Sequence, residues 1–254
     1  DDIALDQQGM LPFDAETVDH TLMGRFGNVM LVNAKTEYRL SAKQGEVVRF
    51  YLTNAANTRL FNFSLPGAKL KLVGGDLGRF GREAFVDEIL IAPGERRVVD
   101  AYFEKAGEYV MQHKTPEKVY ALGNVSVAAE AISPSYSQEF AVARTNAAVV
   151  SELDTLMNTY VAKAPDKSLD LSIDMKQAMR HGMPAGMHSM GGGMVMSDEA
   201  MRMGGDGDAL EWEDTMASMN AQSNARMLEW KLVDKASGKA NMDIQDWNFQ
   251  VGDK

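Results

Sequence analysis

Short segments in which apolar and polar residues alternate, separated by turn residues, run from Asn28 to about Glu130. The clearest is EVVRFYLTN, which places Val48, Phe50 and Leu52 on one side and polar residues on the other. A two-residue period is typical of a half-buried β-strand. About eight such segments, spaced roughly ten residues apart and divided by Gly and Pro, predict one closed β-domain, either a sandwich or a barrel.

A change of period marks the linker at 131–165. Beyond a Ser/Pro-rich stretch, apolar residues recur at helical spacing over 149–161, with Thr145 or Asn146 as candidate N-cap and Pro165 as a stop. The pattern predicts a single amphipathic helix. It either packs on the β-domain as a connector or forms an interface with another partner.

Alternation returns in KSLDLSIDM, which begins a second β-unit. Three or four strands are predicted there, too few to close a sandwich. We therefore expect this unit to pair with another chain or to continue in a longer sequence. The predicted division is a leading segment at 1–20, a β-domain at 21–130, a linker with a helix at 131–165, and a further domain at 166–254 with a Met-rich insertion at 175–206.

Composition excludes several classes of function. The net charge is −10 and no basic run occurs, which argues against nucleic acid as a partner. No run of 18 apolar residues is present, so no membrane span is predicted, and the first residues resemble no signal peptide, which is absent or already removed. The absence of cysteine excludes disulfides, thiolate metal sites and cysteine nucleophiles.

Methionine is concentrated in HGMPAGMHSMGGGMVM at 181–196. Thioethers are soft ligands that select Cu(I), and imidazole also binds copper. One interpretation is therefore a Cu(I)-binding site, and the other is a Gly-rich loop that binds no metal. The candidate Cu(I) ligands are Met183, Met187, Met190, Met194, Met196, His181 and His188.

Two further histidines and two arginines are predicted to be structural. His113 and His20 have no second His or Cys nearby in sequence, whereas a metal needs three or four ligands, so we expect hydrogen-bonded structural histidines. Arg59 and Arg96 are expected to bind nearby carboxylates or carbonyls at the ends of strands.

Longer motifs resemble a known family. MGRFGNVMLVNAK, GEVVRFYLTNAANTRLFNFSL, LVGGDLGRF and APGERRVVD resemble the second domain of bacterial multicopper oxidases, the laccase-like enzymes built from three cupredoxin domains. EWEDTMASMN and GKANMDIQDWNFQVGD resemble the opening of the third domain. The resemblance covers about Met10 to Lys254. It departs at Ala34, where the family usually has Gly after Asn, so the conformation of that turn is in question.

The resemblance implies an all-β fold: a cupredoxin-like Greek-key β-sandwich, one connecting helix and a second, incomplete cupredoxin-like unit. It implies a parent enzyme that oxidises small substrates or Cu(I) and reduces dioxygen to water in the periplasm or outside the cell. Some members carry Met-rich insertions near the substrate-oxidising copper, and 175–206 looks like one.

The family's copper ligands have no counterpart in this chain. It contains no Cys and no His-x-His pair, so no type 1 or trinuclear copper ligand and no catalytic residue is carried over. The chain is expected to be an inactive central fragment without a cofactor of its own. Its expected partners are the remaining cupredoxin domains or another copy of the chain, with Cu(I) as a further candidate. The alternative is a Cu(I)-binding or structural module that uses the Met-rich loop or an exposed sheet edge.

Overall fold

The computed structural model describes residues 1–11, 24–175, 187–190, 194–197, 210–214 and 228–253. The chain divides into two compact units. The first unit consists of Asp1–Phe13, Arg25–Glu152 and Glu211–Glu213, and the second of Asp14–Gly24, Leu153–Leu210 and Asp214–Lys254. The segment Glu211–Glu213 thus belongs to the first unit although it lies late in the sequence.

The first unit contains a β-sandwich of two sheets. The strands of this unit are β1 (Asp2–Ile3), β2 (Val29–Met30), β3 (Tyr38–Gln44), β4 (Val47–Thr53), β5 (Phe61–Ser64), β6 (Lys69–Gly75), β7 (Gly78–Val86), β8 (Glu88–Ile91), β9 (Arg96–Tyr102), β10 (Gly107–Lys114) and β11 (Val119–Ala131). β1 and β2 pair with each other outside the two sheets of the sandwich. One sheet has the order β3-β11-β10-β5-β8 and the other β4-β9-β6-β7. The pair β3 and β11 is parallel and the other pairs of both sheets are antiparallel. The predicted all-β, cupredoxin-like sandwich is confirmed.

The core lies between the two sheets, where alternate residues of each strand meet. Val99 on β9, Phe103 just after β9 and Val125 on β11 are completely buried. On β4, Val48, Phe50 and Leu52 pack against this core, while the residues between them face solvent. The two-residue period therefore predicted the buried face of β4 correctly, because a half-buried strand has to alternate in this way.

One predicted strand is two strands in the structure. EAFVDEILI reads as a single run, but the chain leaves the four-stranded sheet at Val86, which pairs with Leu70, and enters the five-stranded sheet at Glu88, which pairs with Ser64. Asp87 lies at the corner. Strands that switch sheets form the corners of sandwiches. Apolar residues continue through both halves of the run, and burial alternates only in the second half, so the sequence contained no sign of the switch.

The turn that departs from the family pattern is left-handed. Asn33 and Ala34 have φ values of 50° and 61°, and Val32 and Lys35 on either side form an antiparallel bridge. Two successive residues with positive φ are typical of the type I′ hairpin turn, whose second position favours Gly. Ala34 therefore occupies a conformation that is unfavourable for a residue with a Cβ atom.

We expect Ala34→Gly to stabilise the chain by about 0.5–1 kcal/mol, because relief of the left-handed strain exceeds the extra entropy of Gly in the unfolded state. Urea unfolding of both chains measures the difference. The matched control is Ala84→Gly at an exposed position of β7, where the change should destabilise the chain. Loss of stability from both changes would contradict the expectation.

The linker forms the predicted helix and also a shorter one. Helix α1 is Ser137–Phe140 and helix α2 is Ala147–Leu156, which continues into a π-helical turn at Met157–Val161. Asn146 Oδ1 accepts a hydrogen bond from the amide of Val149 at 3.3 Å, so Asn146 is the N-cap. A Cβ atom on Gly81 of β7 would lie 2.9 Å from Val150. The start of α2 thus packs on the sandwich, as expected of a connector.

The second unit contains β12 (Leu169–Met175), β13 (Met187–Met190), β14 (Met194–Ser197) and β15 (Leu228–Asp234). β12 pairs with β15 and β13 with β14, both antiparallel. A 3-10 turn follows at Asn241–Asp243. In the part of the chain that the structure describes, no helix has both the length and the hydropathy to cross a bilayer.

Candidate functional site

The Met-rich segment contains a β-ladder whose register orders its candidate ligands. His188 is opposite Met196 and Met190 is opposite Met194. Opposite residues of an antiparallel ladder share a face, and so do residues two apart on one strand. Positions 188, 190, 194 and 196 therefore share one face of this ladder, which we call the methionine face. Position 187 is opposite Ser197 and belongs to the other face.

The remaining candidates fall elsewhere. His181 and Met183 lie outside the described residues, as does His20. His113 is described and is far from the Met-rich segment in sequence, within β10 of the first unit. By backbone register, four of the seven predicted Cu(I) ligands therefore lie on a common face. That any of the seven binds Cu(I) stays a prediction.

His113 is completely buried and hydrogen-bonded, as predicted for a structural histidine. Its Nδ1 accepts a hydrogen bond from the amide of Asn62 at 3.1 Å. The ring is stacked on Tyr120 with centroids 5.7 Å apart and meets the edge of Phe61 at 5.0 Å. Because Nδ1 is an acceptor, the neutral ring carries its proton on Nε2, which has no partner among the described residues. This tautomer offers no free nitrogen lone pair to a metal.

Beside His113 lies a buried ionic cluster centred on Arg59. Arg59 Nε donates to Asp2 Oδ2 at 2.8 Å, Nη2 donates to the Gly27 carbonyl at 2.9 Å, and Nη1 donates to Glu213 Oε2 at 3.1 Å. The Asp2 side chain is 0% exposed and that of Arg59 is 4% exposed. Tyr120 Oη donates to the other oxygen of Glu213 at 2.6 Å. One guanidinium therefore joins three distant parts of the chain.

The cluster shifts the ionisation of its members. Burial would raise the pKa of Glu213, but hydrogen bonds from Tyr120 and Arg59 outweigh it and lower the pKa below its usual value. The hydrogen bond to Glu213 and burial raise the pKa of Tyr120. Burial, followed by the charge of Arg59, lowers the pKa of His113. Near neutral pH Arg59 is therefore a cation, Glu213 is a carboxylate, and the rings of Tyr120 and His113 are neutral.

Acid should destabilise the chain through His113. Its pKa is lower in the folded state than the unfolded value of about 6.5, so the unfolded chain takes up this proton first. The contribution of the neutral His113 ring to the free energy of unfolding is fully present above pH ~6.5, and it is lost as the pH falls toward the folded pKa of His113. The pKa of Glu213 is lowered and that of Tyr120 is raised, so the pKa values of these two neighbours of the ring are shifted away from the neutral range.

Urea unfolding between pH 7 and 5 measures this effect as a slope of stability against pH. We expect a smaller slope for His113→Gln than for the unaltered chain, whatever the absolute stability of the variant. Equal slopes in the two chains would show that His113 is not the group that responds.

The described residues do not fit the copper centres of an oxidase. A blue-copper site needs a thiolate, and the chain has no cysteine. Among residues 1–11, 24–175 and the shorter described segments, no three His, Asp or Glu side chains are grouped to hold a metal. The methionine face differs in chemistry, since its soft donors suit Cu(I) as a bound substrate or cargo.

Sequence reasoning found part of the Arg59 cluster. Arg59 and Arg96 were both predicted to bind carboxylates or carbonyls, and both do, with Arg96 bound to Asp76 at 2.9 Å. The partners of Arg59 were missed, because Asp2 and Glu213 lie 57 and 154 residues away in sequence. The sequence offers one signal for this contact, the motif EWEDTM, but nothing in the motif itself assigns it to the first unit.

Comparison with known proteins gives a family match and a curated relative. The model of the multicopper oxidase family matches residues 4–130. The cell division protein FtsP of Photorhabdus laumondii is 33% identical over 89 residues, covering 35% of this chain and 19% of that protein.

Solved structures give similar matches. The laccase-like multicopper oxidase CueO of an Ochrobactrum species is 25% identical, with 46% of this chain and 27% of that chain covered and a TM-score of 0.42. A multicopper oxidase from Campylobacter jejuni, described as a metallo-oxidase, is 22% identical, with 66% and 34% covered and a TM-score of 0.42.

This chain spans about a fifth of the curated relative and about a third or less of these solved structures. The family model covers half of its 254 residues, and these residues contain nearly all of the two-sheet sandwich. The chain belongs to the multicopper oxidase family.

Proposed function

We propose that this chain is the central part of a multicopper oxidase and that its own chemical contribution is to bind Cu(I) on the methionine face. The parent protein would oxidise small substrates or Cu(I), reduce dioxygen to water and work in the periplasm or outside the cell. Family membership and the small share of each relative that the chain spans support a partial chain. Alone, it would have no oxidase activity, since it lacks the thiolate and the His-x-His pairs that the copper centres need.

The observation that carries the Cu(I) proposal is the shared face of positions 188, 190, 194 and 196. Opposite residues of an antiparallel ladder have Cβ atoms about 5 Å apart, near enough for long side chains to reach one ion. Three thioethers and one imidazole form a soft donor set that favours Cu(I) over harder cations. A ladder that brings these residue types together lowers the ordering cost of binding the ion.

The register also separates the candidates. Met187 lies on the opposite face of the ladder, so it should contribute less than the methionines at 190, 194 and 196. A random, unstructured collection of thioethers would bind Cu(I) with similar contributions from all of them. The contrast between the two faces therefore tests the site itself, beyond the abundance of methionine.

An anaerobic Cu(I) titration against a chromogenic chelator tests the proposal. We expect the triple variant Met190→Leu, Met194→Leu and Met196→Leu to lose at least about tenfold in affinity, the loss that about 1.4 kcal/mol of binding energy gives. Met187→Leu should change the affinity less. The matched control replaces three exposed methionines elsewhere, Met10, Met157 and Met242, by leucine and should bind as the unaltered chain does.

Two results would contradict the Cu(I) proposal. Equal weak binding by the unaltered chain and the triple variant would leave the segment as a loop without a metal function. Equal losses from the triple variant and the control would mean that methionine content alone, irrespective of position, sets the affinity.

A second candidate function is association through the second unit. The ladder of β12 and β15 carries apolar residues on one face, and Leu171, Trp230 and Leu232 are exposed to solvent. An exposed apolar face of a sheet favours packing against a partner. We propose the remaining cupredoxin domains, or another copy of the chain, as the partner. Light scattering tests self-association: a dimer that Leu171→Glu dissociates supports it, and a monomer mass for the unaltered chain counts against another copy.

A further inference from the structure

We propose that Arg59, Tyr120 and His113 form a recognition site for a short acidic and aromatic peptide, which Glu211–Glu213 occupies as an exchangeable ligand within the chain. We call the site the Trp-Glu socket. It is independent of copper and of the methionine face.

The socket recognises three chemical features of its ligand. The carboxylate of Glu213 accepts hydrogen bonds from Arg59 Nη1 at 3.1 Å and from Tyr120 Oη at 2.6 Å. The carbonyl of Trp212 accepts from Arg59 Nη1 at 3.3 Å. The Trp212 ring lies 6.2 Å from the ring of His113, centroid to centroid. A carboxylate held by a cation and a hydroxyl, next to an aromatic side chain, defines the ligand as a Trp-Glu sequence.

The socket is built without help from its ligand. Arg59 is fixed by Asp2 through Nε and by the Gly27 carbonyl through Nη2, and neither bond involves the segment 211–213. Tyr120 is fixed by stacking on His113, which is held in turn by the amide of Asn62. Departure of the segment therefore leaves Arg59 with two of its partners. A preorganised site of this kind binds its ligand at low ordering cost.

The ligand is held at the edge of the fold. The side chain of Glu213 is 38% exposed while that of Arg59 is 4% exposed, so water reaches the ligand's carboxylate more easily than the socket's cation. Only residues 211–213 of this part of the chain belong to the first unit. A segment with few contacts opens at a lower free energy than a core strand does. We infer that the segment leaves and returns while the sandwich stays folded.

The first test uses the full chain with Trp212→Ala and Glu213→Ala, which empties the socket. A fluorescent peptide with the sequence of residues 208–215, DALEWEDT, is titrated by anisotropy. We expect at least about tenfold tighter binding to the emptied chain than to the unaltered chain, because the resident segment competes from a high effective concentration. A peptide with Gln for the glutamate after Trp is the matched control and should bind several-fold more weakly. Tyr120→Phe in the emptied chain should also weaken binding.

The second test needs no variant and covers the case in which the emptied chain does not fold. Hydrogen exchange of the unaltered chain compares the amides of 211–213 with those of β10, which carries His113. We expect the segment to exchange through local opening while β10 exchanges only on global unfolding. Exchange of both segments at the global rate overturns the proposal. So does equal peptide binding by the folded emptied and unaltered chains, or no binding by either.

Discussion

Replacing Arg59 with methionine will lower the free energy of unfolding by about 3–5 kcal/mol, the typical cost of removing one partner from a buried ion pair. Asp2 has no exposed surface, and the change leaves its carboxylate in the interior without its cation. The Gly27 carbonyl loses its guanidinium donor at the same time. Burial of an unpaired charge is far more costly than the loss of the apolar contacts that methionine keeps.

Urea unfolding followed by circular dichroism measures this loss, and Arg96→Met is its matched control. Arg96 also binds a carboxylate, but its side chain is 57% exposed and that of Asp76 is 33% exposed, so water replaces the lost partner. The control should cost less than about 1 kcal/mol. Similar losses in the two variants would mean that burial of the Arg59 cluster does not determine its contribution.

These two arginines also show how far the sequence was informative. Arg59 lies just before a strand and Arg96 begins one, and both are close to turn residues. The sequence therefore predicts the same kind of partner, a carboxylate or a carbonyl, for each arginine. The two arginines differ in burial, and the burial of a side chain depends on which distant segments of the chain cover it. Asp2 and Glu213 come from opposite ends of the chain, and a local pattern contains no information about such an approach.

The sandwich was predictable for the opposite reason. A half-buried strand imposes a two-residue period on its own sequence, so β4 revealed its buried face without reference to any other strand. The corner at Asp87 was not predictable, because apolar residues continue through both flanking strands while the chain changes its pairing partners. The same limit applies to the methionine face: composition indicated soft ligands, but only the register of β13 and β14 divides them between two faces.

Replacing Lys71 with methionine will lower the free energy of unfolding by about 2–3 kcal/mol. The Lys71 side chain, on β6, is 1% exposed. Its Nζ donates to the carbonyls of Phe140 and Val142 at 3.0 and 3.1 Å and lies 3.4 Å from a carboxylate oxygen of Glu83. Lys71 therefore binds the end of α1 and the residues after it to the outer face of the four-stranded sheet. Methionine fills the same space but leaves these carbonyls without a donor.

Glu83 limits the size of this loss. Burial would raise the pKa of Glu83, but hydrogen bonds from Arg144, together with the charge of Lys71, lower it below the usual value. Arg144 remains bound to Glu83 at 2.9 Å when Lys71 is replaced, so the carboxylate keeps a cation. The expected loss is therefore smaller than the loss for Arg59. Replacing Arg59 leaves the buried carboxylate of Asp2 with no second cation bound to it among the described residues.

Lys69→Met is the matched control, since Lys69 lies two residues earlier on the same face of β6. Its side chain is 58% exposed and is paired with the exposed Glu104, so its removal should cost less than about 1 kcal/mol. Thermal unfolding of the two variants measures the difference. If Lys71→Met were as stable as Lys69→Met, the linker would be held by its apolar contacts alone, chiefly Phe140 against Phe85 and Tyr102. A clear difference would mean that one buried amino group fixes the chain where it leaves the sandwich.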